Sequence, residues 1–205
     1  KDGNLIAAIE EERLVRIKHW AGFPHNAIQS CLDEANIDIT RVDHITIARD
    51  PKANVLMKVK HVLKSRTSIS AVKNRLLNRK KILSIAKDFN IYFGVNEKDI
   101  STKIHNIEHH RSHLASAFFA SPFQESAVLS IDAFGDFTST MLGNGIGNDI
   151  KVISEVNFPH SVGAFYTAFT QYLGFNNFGD EYKLMGLSPY GSPKMVEEVR
   201  DAVLF

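Results

Sequence analysis

With 205 residues, 44% of them hydrophobic, the chain can bury a core and form one large domain or two small ones. A net charge of +1 makes no global case for nucleic acid or a membrane surface. The single cysteine, Cys31, excludes a disulfide framework and fits a reducing cytoplasm.

No run approaches the ~18 apolar residues of a membrane span, and Lys-Asp-Gly-Asn at the start is not a signal peptide. Asp2-Gly3 is a hairpin turn signal whose preceding strand is missing, and the sequence stops in a helix-like pattern at Phe205. These ends read as those of a piece of a longer protein.

Leu5 to Ile9 reads as a strand, the second arm of that hairpin, followed by a charged strand end and loop from Glu10 to His19. Pro24 to Ile37 reads as a helix, with proline at its start and Ala27, Ile28, Cys31, Leu32 and Ala35 on one face. Val42 to Ala48 alternates as a strand and ends at Arg49-Asp50-Pro51, where Asp50 is at least a turn residue. Residues 52–89 hold eleven Lys/Arg and one acid, Asp88, a local charge of +10 against −9 for the remainder. Apolar residues recur there at helical spacing: Val55, Val59, Val62 and Leu63, then Ile69, Val72 and Leu76, then Ile82, Ile85, Ala86 and Phe89. The pattern predicts two or three amphipathic helices with basic outer faces. With no aromatic before Phe89 to stack on bases, nucleic acid is not the expected partner. A connection with a short strand near 103–108 leads to a helix, His109 to Ala120. Strands at 126–132, 137–143 and 150–156 follow, with turns at Gly135-Asp136 and Gly143–Gly147. Helices at 161–173, at 180–187 and from Pro193 complete an α/β layout of α+β layers.

The chemistry concentrates in His109–Thr140. His109 and His113, at i and i+4, share one helix face at about 5–6 Å between Cβ atoms, a spacing that lets two imidazoles hold one cation. Asp132 ends the apolar run Ala127–Ile131 and can complete the set. Two histidines and one carboxylate with open positions suit Fe(II), ranked first, or Zn(II). The bland alternative is a solvated histidine pair and a turn aspartate. His110 points elsewhere on the helix, as a helix-start residue or a support behind the ligands. At the following turn, backbone N–H groups around Gly135 and Asp136, with the hydroxyls of Thr138, Ser139 and Thr140, can hold phosphate oxygens. Gly135 would permit close approach of a ligand.

Four stretches carry a resemblance: HHRSHLASAF, SIDAFGDFTST, SVGAFYTAFTQYLGF and GDEYKLMGLSPYG. Together with EERLVRIKHWAGFP at 11–24, they resemble the amino-terminal domain of the O-carbamoyltransferases of nodulation-factor and antibiotic biosynthesis. The resemblance implies two ribonuclease-H-like units of the actin, sugar-kinase and Hsp70 ATPase superfamily, both incomplete. The first would be 1–125, carrying the basic insertion 52–89, and the second would start at 126. It implies metal binding by His109, His113 and Asp132, with His113 and Asp132 catalytic. Gly135, Asp136, Thr138, Glu181 and Lys183 would contact nucleotide or carbamoyl group, and Arg13, Lys18, His19 and Asp50 the acceptor substrate. ATP and carbamoyl phosphate would be co-substrates, and a carboxy-terminal adenylate-forming domain would be the partner of this one. A fourth, carboxylate metal ligand and a His-Asp pair on a first strand fall outside the chain, so the fragment alone is expected to be inactive. Rival readings are an actin-like kinase, a relative of the tRNA threonylcarbamoyl-transfer enzymes, and a non-catalytic basic binding module.

Overall fold

The computed structural model describes residues 3–64 and 84–203. Asp2 of the hairpin signal, the helical spacing at Ile69, Val72, Leu76 and Ile82, and the terminal Phe205 lie outside the described residues. The chain divides into two compact units, Lys1–Ile47 with Val62–Asn106 and Ala48–His61 with Ile107–Phe205. The boundaries between these compact units fall at 47/48, 61/62 and 106/107. The histidine helix packs on the strands that follow it and belongs with them.

In the first unit, residues 4–10 form no strand. The apolar run Leu5–Ile9 lacks a ladder partner among the described residues, and a strand exists only through its pairing. Glu11–Val15 is a short helix, α1, where a charged loop was expected. Helix α2, His25–Glu34, follows Pro24 as the spacing predicts. Strand β1, Ile45–Ile47, lies parallel to β2, Ile104–Asn106, in the register Ile45↔Ile104. A parallel pair needs a long crossover. Helix α3, Val55–Lys64, lies within that crossover, though its residues up to His61 count with the second unit; α4, Ile85–Phe93, and α5, Glu97–Lys103, lie there too. Helix α5 occupies what was read as a mere connection, started by Asn96, whose side chain accepts from Lys98 N–H. Leu32, Ile39, Phe89 and Ile100 form the buried core, with Ile28, Ile45 and Ile104 against it.

In the second unit, helix α6, His109–Phe118, precedes an antiparallel meander: β3, Glu125–Gly135; β4, Thr138–Ile146; β5, Asp149–Asn157. The β3–β4 turn falls on Asp136-Phe137, one residue beyond the glycine. Gly143 to Ile146 continue β4 instead of turning, and the second turn is Gly147-Asn148. Alternation sends Val128 and Met141 toward α6, where they bury Leu114 and Phe118, with Ile150 and Val152 alongside. Helix α7, Val162–Tyr172, packs on β3, followed by α8, Glu181–Leu187, and α9, Val196–Val203.

Candidate metal centre

Helix α6 starts with a tight cap. Both carboxylate oxygens of Glu108 accept backbone N–H groups, from His110 at 3.1 Å and Arg111 at 2.8 Å. A negative group there also suits the positive end of the helix dipole. One turn of helix then sets the His109 and His113 rings 4.6 Å apart at 83°, with their Nε2 atoms separated by 3.0 Å. Asp132 lies two residues beyond Ser130 on β3, so the period of the strand turns both toward the helix. Its Oδ2 is 2.9 Å from His109 Nε2 and 3.8 Å from His113 Nε2. One donor atom from each of the three residues lies within 4.8 Å of the others.

The hydrogen bonding fixes what this cluster wants at its centre. His109 Nδ1 is 3.3 Å from the Ala48 carbonyl, which can only accept, so Nδ1 carries a hydrogen. In the neutral ring this leaves the Nε2 lone pair facing a carboxylate oxygen 2.9 Å away. Two acceptors at that distance repel unless a positive charge, a proton or a metal ion, lies between them. An imidazole whose outer nitrogen is held by a carbonyl is also the usual arrangement for a metal-ligating histidine. Burial alone would raise the Asp132 carboxyl. The His109 imidazole and the Ala133 N–H, 2.6 Å from Oδ1, outweigh it and hold the pKa below the ordinary carboxylate value. The three residues thus form an anionic, half-open N,N,O donor set that fits a divalent transition metal.

The remaining residues singled out in the sequence fall in different surroundings. Gly135 ends β3 against the ring of His109, so the close approach it permits is by that imidazole. Asp136 Oδ2 accepts from Asp50 N–H at 2.7 Å and His109 N–H at 3.2 Å. Thr138 is fully buried; its hydroxyl donates to Asn157 and accepts from Asn54. Ser139, also buried, donates to the Val156 and His160 carbonyls. Asp50 accepts from Lys52 N–H in its own turn. Glu181 accepts from the Thr167 hydroxyl at 2.8 Å, and Lys183 pairs with Asp180 at 2.7 Å. In the first unit, Arg13 faces Glu10 at 3.8 Å and Lys18 faces Glu12 at 3.6 Å. The Glu12 carboxylate also accepts the His19 N–H.

Two buried polar residues carry more than the sequence reading assigned. His110 is fully buried: its Nε2 donates to the Thr138 carbonyl at 2.9 Å, and Nδ1 accepts the Ser130 hydroxyl at 2.8 Å. It ties α6 to β3 and β4 at once. Glu11, also buried, accepts the Ala27 N–H at 2.7 Å and the Asn26 side-chain amide at 2.7 Å, capping α2 from a distance in sequence.

Residues 1–204 match the family model described as the carbamoyltransferase N-terminus. The chain belongs to this family. Nodulation protein NolNO of Sinorhizobium fredii is 39% identical over 196 residues, covering 94% of the chain and 27% of that protein. An uncharacterized protein of Synechocystis, sll1178, is 41% identical across the whole chain and 34% of its own length. A third relative in Methanocaldococcus jannaschii, the uncharacterized protein MJ1051, is 31% identical over 93% of the chain and 30% of its own. The chain thus spans about a third of the length of these relatives. Among the described residues, no helix is long and apolar enough to cross a membrane.

Proposed function

We propose that the chain is the amino-terminal part of a metal-dependent, cytoplasmic O-carbamoyltransferase, built on ribonuclease-H-like units of the actin/Hsp70 ATPase type. The enzyme passes a carbamoyl group from carbamoyl-adenylate, made from ATP and carbamoyl phosphate in a carboxy-terminal domain, to a hydroxyl of a small sugar-like acceptor. The observation that carries this reading is the convergence of His109 Nε2, His113 Nε2 and Asp132 Oδ2. A divalent ion held there, Fe(II) first and Zn(II) second, would supply Lewis-acid polarisation of the carbamoyl or phosphate oxygens. His113 and Asp132, with side chains 50% and 42% exposed, are open to a reacting group, while His109 is the more enclosed. Of the other residues proposed for nucleotide or carbamoyl contact, Glu181 and Lys183 are partly exposed, whereas Gly135, Asp136 and Thr138 act through the frame around His109 and β4. Arg13, Lys18, His19 and Asp50 are proposed to meet the acceptor.

The test uses the full-length protein that contains this chain. Metal content is measured alongside carbamoyl transfer from carbamoyl phosphate and ATP to a panel of sugar hydroxyls. Stoichiometric metal and transfer, both lost in His113→Ala, support the proposal. Transfer that survives complete metal removal and the His113→Ala change would overturn it.

A further inference from the structure

Asp136 sits in the two-residue turn between β3 and β4 with φ of 50°, followed by Phe137 at φ 91°. Neither residue is glycine, and positive φ costs both of them, Phe137 most. Such outliers persist where the surroundings over-determine them. Here the surroundings are the segment 48–54. Oδ2 of Asp136 accepts the N–H of Asp50 at 2.7 Å and that of His109 at 3.2 Å. The Asn54 side-chain amide, itself on a residue with φ of 56°, donates to the Asp136 carbonyl at 3.2 Å and to the Thr138 hydroxyl at 3.3 Å. The same segment supplies the Ala48 carbonyl that takes the Nδ1 hydrogen of His109.

We infer that Asp136 is a positioning residue for the metal centre: its carboxylate clamps the 48–54 segment to the start of α6, so that the Ala48 carbonyl holds His109 with its Nε2 lone pair toward His113 and Asp132. The inference rests on the metal-site reading for its consequence, while the tautomer of His109 stands apart from that reading. Asp136 touches no reacting group in this role. A carboxylate serves this position better than an amide because both N–H groups bond one oxygen, and two charge-assisted hydrogen bonds are stronger than a neutral pair.

The test is made on the full-length protein with Asp136→Ala and Asp136→Asn, the second being nearly isosteric and keeping one acceptor oxygen. Zn(II) affinity is measured by competition with a chromophoric chelator. The His109 tautomer is read by NMR of selectively labelled histidine in the metal-free protein. Loss of a support behind a metal ligand typically weakens the site 10–100-fold. Asp136→Ala is expected to fall in that range with the Nδ1–H tautomer no longer dominant, and Asp136→Asn to fall between it and wild type. Affinity within twofold of wild type and an unchanged tautomer in both variants would overturn the inference. If wild type binds neither Zn(II) nor Fe(II), the metal-site reading fails, and the tautomer measurement alone decides the role of Asp136. If Asp136→Ala does not fold, Asp136→Asn decides it.

Discussion

Gly135 leaves the space that the His109 imidazole fills: a Cβ on Gly135 would lie 1.9 Å from Cδ2 of His109 and 2.1 Å from Cγ. Real atoms do not approach so closely, so even one methyl group at 135 must push the ring aside. Gly135→Ala is therefore expected to lower Zn(II) or Fe(II) affinity at least tenfold. Overpacking of this kind costs about 1–3 kcal/mol of stability. Metal titration and thermal melting of the variant check both parts. Unchanged affinity would mean that His109 is not a ligand.

Gly163 sets two effects against each other. Alanine in the first turn of α7 should gain about 1 kcal/mol in helix propensity. Its Cβ, however, would come within 2.6 Å of the Ala133 nitrogen and the Asp132 carbonyl group. Backbone atoms of β3 cannot swing away as a side chain can. Gly163→Ala is expected to be destabilising by about 1–3 kcal/mol and to weaken metal binding through Asp132. A stability gain in denaturant unfolding would show that α7 stands off β3.

His110 is a buried neutral histidine. Burial pushes its pKa below the ordinary value of 6.5, more strongly than the Thr138 carbonyl raises it. The unfolded state then binds more protons than the folded one between the lowered pKa and about 6.5. This contribution to stability is complete above that window and falls as pH drops through it. His110→Leu should remove this pH dependence. It should also cost about 2–4 kcal/mol, because the Ser130 hydroxyl and the Thr138 carbonyl both lose their partner. Urea unfolding of both proteins across pH 5–8 measures the slope.

Glu11 behaves in the opposite range. Burial would raise its carboxyl, but the N–H of Ala27 and the amide and N–H of Asn26 outweigh it and lower the pKa below 4.5. Its stabilisation is present above that value and is lost as pH falls below it. Glu11→Gln keeps the shape but loses the charged cap on α2. The expected loss is about 1 kcal/mol at pH 7, shrinking toward zero in acid. A loss independent of pH would assign the effect to packing instead.

The three-strand meander, its helices and the His109–His113 pairing were legible because each rests on local period. That period also held the key to His110, which recurs with Leu114 and Phe118 at i, i+4 and i+8 on the buried face, though a histidine there reads as polar. The reach of Glu11 to α2 left no local mark, since it joins residues fifteen and sixteen apart in sequence. Leu5–Ile9 misled in the other direction. An apolar run states a preference for a strand, and only a neighbouring strand can satisfy it. The role of Asp136 was beyond reach for a related reason: its two N–H partners come from segments 86 and 27 residues away.

Neighbouring residues 109 and 110 face different worlds. One turns to His113 and Asp132; the other pegs helix to sheet out of contact with solvent. The peg consists of protein groups alone, the His110 ring with the Ser130 hydroxyl and the Thr138 carbonyl, so the frame behind the donor set stands by itself. A change of side chain at 109, 113 or 132 therefore leaves the hydrogen bonds of the peg, and with them the scaffold, in place.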